Sequence, residues 1–123
     1  MKICYCGNQM TFENCCQLYI DGTKKTPTAE ALMRSRYSAY AIGNADYLVA
    51  TTHPSTRKKH KKSDILEWSK SNNWKRLKII NSTETIVKFS AYYIDNHLKA
   101  QIHTEESTFI YEEENWFYVD GVY

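Results

Sequence analysis

Thr83-Glu84-Thr85-Ile86-Val87-Lys88-Phe89-Ser90-Ala91-Tyr92-Tyr93-Ile94 is the stretch on which the fold turns. Val87, Phe89 and Ala91 alternate with Lys88, Ser90 and Tyr92, and a period of two puts the first set on one face of a strand. Trp74–Ile80 has the same strand character upstream. Downstream, Asp95-Asn96 marks a turn, and Ala100–Tyr111 and Trp116–Val119 form a hairpin across Glu112-Glu113-Glu114-Asn115. Before Trp74 the period is helical. Thr26 reads as an N-cap with Pro27 at the first helical position and Glu30 near the positive end. Leu32, Met33, Tyr37, Tyr40 and Ala41 then recur at helical spacing until Gly43-Asn44 stops the run. A second helix is expected over Ala45–Thr51, and a third from Ser63-Asp64 to Ser71. Helices followed by a run of antiparallel strands predict an α+β fold with the helices packed on one sheet face.

The 123 residues suit one domain with a small appendage. Hydrophobic residues at 42% and charged residues at 24% exclude a disordered chain. A net charge of +2 is too small to mark a polyanion binder. The strongest charge feature is Arg57-Lys58-Lys59-His60-Lys61-Lys62, which can grip phosphates without reading sequence. No recognised nucleic-acid motif accompanies it, so sequence-specific binding to nucleic acid is not expected. No apolar run is long enough to span a membrane and Met1-Lys2-Ile3-Cys4 leads into no signal-peptide core, so a cytoplasmic location is expected.

All four cysteines, Cys4, Cys6, Cys15 and Cys16, fall in the first sixteen residues. A disulfide framework staples distant segments in an oxidising compartment, whereas this crowding points to a metal held by four thiolates. Softness and geometry favour one zinc ion, with iron as the other candidate. Cys4-Tyr5-Cys6-Gly7-Asn8 reads as a tight turn, and Thr11 as the cap of a helix through Phe12–Ile20 that carries Cys15 and Cys16 in its first turns. Lys2, Lys24 and Lys25 stand near enough in sequence to offset the thiolate charge. Residues 1–22 thus form a metal knuckle, 23–26 a linker, and 27–123 a domain expected to fold by itself.

The pattern Cys4-x-Cys6-Gly7…Cys15-Cys16 resembles the SEC-C motif, the zinc-binding tail motif of the SecA preprotein translocase ATPase and of several small bacterial proteins. The block from Pro27 to Tyr40, with Asp46-Tyr47-Leu48 and Thr52-His53-Pro54-Ser55-Thr56-Arg57, resembles the YchJ-like family of uncharacterised bacterial proteins. That resemblance implies a SEC-C knuckle joined to a nuclear-transport-factor-2-like domain, a cone in which helices and a curved antiparallel sheet enclose a pocket. Two stretches depart from the pattern. Asn8-Gln9-Met10-Thr11-Phe12 replaces the usual Ser-Gly and lysines, removing the basic rim beside the metal. His103-Thr104-Glu105 stands where relatives read Leu-His-Glu, so the family's histidine position is Thr104, with His103 on the other face.

Inside such a cone, Glu105, Ser107 and Phe109 share one strand face, His53 and Arg57 sit at its mouth, and Tyr37, Trp74 and Trp116 supply apolar walls. His53 is the histidine expected to meet Glu105. Two readings follow. The first is a non-catalytic, metal-stabilised binding or interaction protein, monomeric or homodimeric, whose resemblance implies partners in protein biogenesis such as ribosomes or secretion factors. The alternative is a small-molecule hydrolase, isomerase or dehydratase that uses His53 and Glu105 as base and orienting partner. A cavity lined by converging polar groups with shifted pKa values favours the enzyme, and a cone filled by tyrosine and tryptophan side chains favours the scaffold.

Overall fold

A computed structural model describes residues 3–123. Ile3 bridges Thr11, and a 3-10 turn at Phe12–Asn14 leads into helix α1, Cys16–Ile20. Four further helices follow: α2 at Ala29–Ile42, α3 at Ala45–Ala50, α4 at Pro54–Arg57 and α5 at Lys62–Ser71. The strands are β1, Asn73–Ser82; β2, Ile86–Ile94; β3, Ala100–Glu112; and β4, Asn115–Val122. They form one antiparallel meander in the order β1-β2-β3-β4. The α+β reading therefore holds, with α2 laid across the sheet against β1, β2 and β4.

Register explains which side faces α2. Val87 pairs with Ser107, Phe89 with Glu105 and Ala91 with His103, so these side chains share the inner face. Bulges between Trp74 and Arg76, between Ile79 and Asn81, and between Thr108 and Phe109 bend the sheet around the helix. Leu32, Leu48, Val87, Phe89 and Phe109 are buried in the resulting core. The β3–β4 hairpin closes through Glu113 and Glu114, both with positive φ (50° and 66°). That conformation suits the twist of a two-residue turn, although its usual residues are asparagine and glycine.

Several boundaries differ from expectation. The cap of α2 is Thr28, not Thr26: its Oγ1 accepts the Ala31 amide at 3.0 Å, and the helix starts at Ala29. Proline forces extended backbone on the residue before it, so Thr26 and Pro27 belong to the approach rather than to the first turn. Thr11 makes no side-chain cap, and Cys15 (φ −129°, ψ −110°) breaks the expected 12–20 helix into the 3-10 turn and α1. The short helix α4, capped by His53 through the Ser55 amide, was not foreseen. Among the described residues no helix is long and apolar enough to cross a membrane.

The cap assignment has a direct test. Thr28→Ala should lower stability by about 1 kcal/mol in urea denaturation, while Thr26→Ala should leave the midpoint where it is. The reverse order would restore the earlier helix start.

Candidate functional site

The cysteine knuckle is built on backbone geometry. The Cys4 amide donates to the Met10 carbonyl at 2.7 Å and the Gly7 amide to the Cys4 carbonyl at 3.1 Å. Gly7 takes φ +91°, the left-handed conformation that glycine adopts at no steric cost and that turns the chain back over the sulfurs. The break at Cys15 then brings its sulfur 3.7 Å from that of Cys6, and all four sulfurs lie within 4.8 Å of one another. Thiolates about 2.3 Å from a tetrahedral ion stand about 3.8 Å apart, so the donor set fits a metal. Ionisation makes the same point. Hydrogen bonds from Cys16 and then Cys6 pull the Cys4 thiol far below its ordinary value, whereas bonds to Cys4 and Cys6, with burial, push Cys16 far up. One thiolate is comfortable there, and four need a cation among them. The residues form a metal-ion site.

The knuckle is fastened to α2. Arg34 Nη1 donates to the Cys6 carbonyl at 2.8 Å, and the Cys4 sulfur lies 3.6 Å from Ser38 Oγ. All four cysteines join Ala29, Leu32 and Met33 in the core. Arg34 meets the knuckle directly, and Lys24 lines the cleft beside Cys15 and Cys16. Lys25 turns away to Glu114, and Lys2 lies outside the described residues.

On the other side of α2 lies a cavity of about 210 Å³ between helix and sheet. Tyr37, Trp74, Glu105 and Ser107 line it. His53, Arg57 and Trp116 do not. The chain after α3 runs beside β4, with Thr52 bridging Tyr118, and this turns His53 toward the hairpin tip, where Nε2 lies 3.1 Å from Glu112 Oε1. Arg57 is spent on backbone, donating to the carbonyls of Thr52 (3.0 Å) and Ala50 (3.3 Å). Trp116 shares the inner face but pairs with Tyr111 at the far end of the sheet, where its indole donates to the Pro27 carbonyl. Sequence spacing gives the face of a residue, not its height along the sheet.

The histidine that meets Glu105 is His103. It lies two residues away on the same face, and its Nε2 is 2.9 Å from Glu105 Oε1. Thr104 faces the other way and bonds Ser90 at 2.7 Å. Glu105 Oε2 accepts from Ser107 Oγ (2.5 Å) and from Tyr118 Oη (3.1 Å). Burial alone would raise this carboxyl, but the bonds from His103 and Ser107, the charge of His103 and the bond from Tyr118 more than reverse it. The group sits below the ordinary glutamate value. Burial first, and Glu105 second, raise the Tyr118 phenol, which keeps the proton it donates. Burial pushes Tyr37 up to about 12.

Three further participants escaped the sequence reading. Arg36, only 6% exposed, stacks 4.4 Å over the Tyr118 ring. His60, from the basic run, turns inward to the cavity, so that run is not one continuous exposed strip. Gly121 lies opposite Ser107, and a Cβ there would come 2.0 Å from Glu105 Oε2. A glycine inside a strand signals such a close approach, and the parity of 103 and 105 was open to reading as well.

This geometry can be set beside known proteins. A family model described as the YchJ middle NTF2-like domain matches residues 28–121. The chain belongs to the YchJ-like family. A UPF0225 protein of Photorhabdus laumondii is 38% identical, over 98% of this chain and 80% of its own length. A UPF0225 protein of Vibrio vulnificus is 37% identical, over 98% and 74%. Two solved structures share the fold. The solution structure of a SEC-C motif containing protein from Rhodopseudomonas palustris has a TM-score of 0.89 at 30% identity, covering 97% of this chain and 96% of that one. The crystal structure of a SEC-C motif containing protein from Psychrobacter arcticus gives 0.78 at 26%, covering 95% and 80%. In this YchJ-like chain the knuckle and the cavity therefore stand on opposite sides of one helix.

Gly121→Ala should expel the Glu105 carboxylate and cost about 1–3 kcal/mol. In a Glu105→Ala background the same change should cost much less, a coupling that a double-mutant cycle in urea measures. Equal costs in both backgrounds would mean that Gly121 is not there for Glu105.

Proposed function

We propose that this YchJ-like protein is a zinc-stabilised binding protein of the reducing cytoplasm, whose cone cavity holds a small organic ligand without transforming it. The observation that carries this reading is the engagement of both Glu105 oxygens by neighbouring side chains. Both carboxylate oxygens are engaged by His103, Ser107 and Tyr118, and the group is held ionised. A general base is best matched to the ambient pH, and a carboxylate depressed below its ordinary value is a weak one. The polar centre therefore serves to hold the cavity open amid aromatic walls, as ligand sites require.

The knuckle is read as structural. Four closed thiolates leave no position for a reacting water, and soft tetrahedral ligation suits zinc. Cys4, Cys6, Cys15 and Cys16 would hold the ion, which supplies cross-linking rather than catalysis. Ile3, Tyr5 and Met10 are exposed on the knuckle, and we assign them to a protein partner in biogenesis, the setting to which the SEC-C resemblance points.

One observation favours a second reading. Glu105 at 2.9 Å from His103 is the arrangement by which a carboxylate orients a histidine base, so a hydrolase, isomerase or dehydratase would act through His103.

Two measurements bear on these readings. Purified protein should contain about one zinc per chain by elemental analysis, and Cys15→Ser should lose most of it. Chelation should lower the thermal midpoint by uncovering Leu32 and Met33, while most far-UV dichroism persists. A metal-free native protein would refute the zinc assignment.

The second measurement is Glu105→Gln. A carboxyl whose folded pKa is depressed contributes stability above its unfolded pKa, and loses it as pH falls through the folded value. Glu105→Gln should therefore cost about 1–3 kcal/mol at neutral pH, and this difference from the parent should shrink on acidification below about pH 4.5. Unchanged or improved stability would favour the enzyme reading, since catalytic groups trade stability for function.

A further inference from the structure

Arg36 is more deeply buried than any other cation of the chain's helices, and its hydrogen bonding is one-sided. Its three protein bonds all leave from Nη1: to the Leu48 carbonyl at 2.9 Å, Thr51 Oγ1 at 2.7 Å and Thr52 Oγ1 at 3.4 Å. Among the described residues Nε and Nη2 have no protein acceptor, and no carboxylate forms an ion pair with Arg36. Among the described residues no fully buried side-chain nitrogen or oxygen lacks a partner, so these two nitrogens retain accessible surface. The opening that Arg36 lines is the cavity.

We infer that the cavity recognises a small, flat organic anion, a single-ring carboxylate, whose charged end meets the free edge of Arg36. This inference rests on the binding reading above and names the class of ligand. A guanidinium edge presents two parallel N–H donors, the geometry that a carboxylate accepts. Tyr118 holds the guanidinium in place, its ring centroid 4.4 Å from the central carbon. The carboxylate already in the cavity does not compete for that edge, because His103, Ser107 and Tyr118 occupy its oxygens. At that edge a cationic ligand would meet the charge of Arg36, which repels it. The body of the ligand meets Tyr37, Tyr40, Trp68, Trp74 and Phe89, faces and edges that favour an aromatic ring. A volume of about 210 Å³ has room for one ring and its substituent.

The tryptophans provide the readout. Trp68 and Trp74 line the cavity, whereas Trp116 is held at the far end of the sheet by the Pro27 carbonyl and serves as an internal control. Metal-loaded, full-length protein is titrated with benzoate, benzamide and benzylamine while the indole N–H signals are followed by heteronuclear NMR. Benzoate should shift Trp68 and Trp74 but not Trp116, and bind about tenfold tighter than benzamide, the difference expected of a charge-assisted pair. Benzylamine should bind more weakly than either. Arg36→Lys, which keeps the charge and removes the fork, should erase most of the benzoate preference. Because that variant removes buried bonds, the Arg36 Nε–H signal of the parent is followed as well, and benzoate should shift it. Benzamide or benzylamine binding as tightly as benzoate, or an Arg36 signal untouched by bound benzoate, overturns the anion assignment and leaves the binding reading standing. No response of Trp68 or Trp74 to any of the three probes overturns both.

Discussion

Helix α2 has no free side at its middle. Residues 35–39 are buried in an unbroken run, Ser35, Arg36, Tyr37, Ser38 and Ala39, where an amphipathic helix would bury one stripe. A helix sealed all round needs a cover on each side, and the rest of the structure follows from supplying them. The curved sheet covers one side, α3 and α5 a second, and the cysteine knuckle a third. Small residues make the approach close: Ser35 bonds Tyr47 at 2.7 Å and Ser38 faces the Cys4 sulfur. The polar atoms that this burial would strand are satisfied, because Ser35 also donates to the Leu32 carbonyl and Arg36 to the end of α3.

The same sealing accounts for the character of the cavity. A carboxylate and a guanidinium both lie buried there, yet they do not form a direct ion pair. Tyr118 stands between them, its hydroxyl on Glu105 and its ring under Arg36. A direct pair would close the space and spend both groups on each other, whereas mediation through a phenol leaves one edge of Arg36 open. Gly121 is the condition for the arrangement, since any larger residue would occupy the volume of the Glu105 carboxylate.

The knuckle solves a problem of size. A segment of about twenty residues cannot stabilise itself by burial alone, and a metal supplies the missing cross-link. Once built, it presents Cys4 and Cys6 inward against α2, and Ile3, Tyr5 and Met10 outward. Metal site and cavity thus share a wall, and the wall is the segment that carried the family resemblance.

Much of this was legible in the residues alone. Four cysteines clustered within sixteen residues imply a metal, because thiolates are ligands wherever they are not oxidised. The alternation of Val87, Phe89 and Ala91 and the helical spacing before Trp74 gave the α+β order, since both periods are properties of local backbone geometry. Glu105 and Ser107 on one inner face followed from the same parity, which also applied to His103. What no local rule supplies is height along a sheet or the side on which a loop passes. His53 and Trp116 have plausible residue types and the wrong positions, one turned to the hairpin tip and one set at the far end of the sheet. Arg36 sits in a helix whose sequence shows no single polar face, and His60 in a basic run that reads as solvated. Their inward placement is the outcome of packing α2 against four strands and folding the 57–62 segment over Tyr118, contacts between residues far apart in the chain. Periodicity is a short-range property and was visible; convergence in a cavity is a long-range one, and only the assembled tertiary structure decided it.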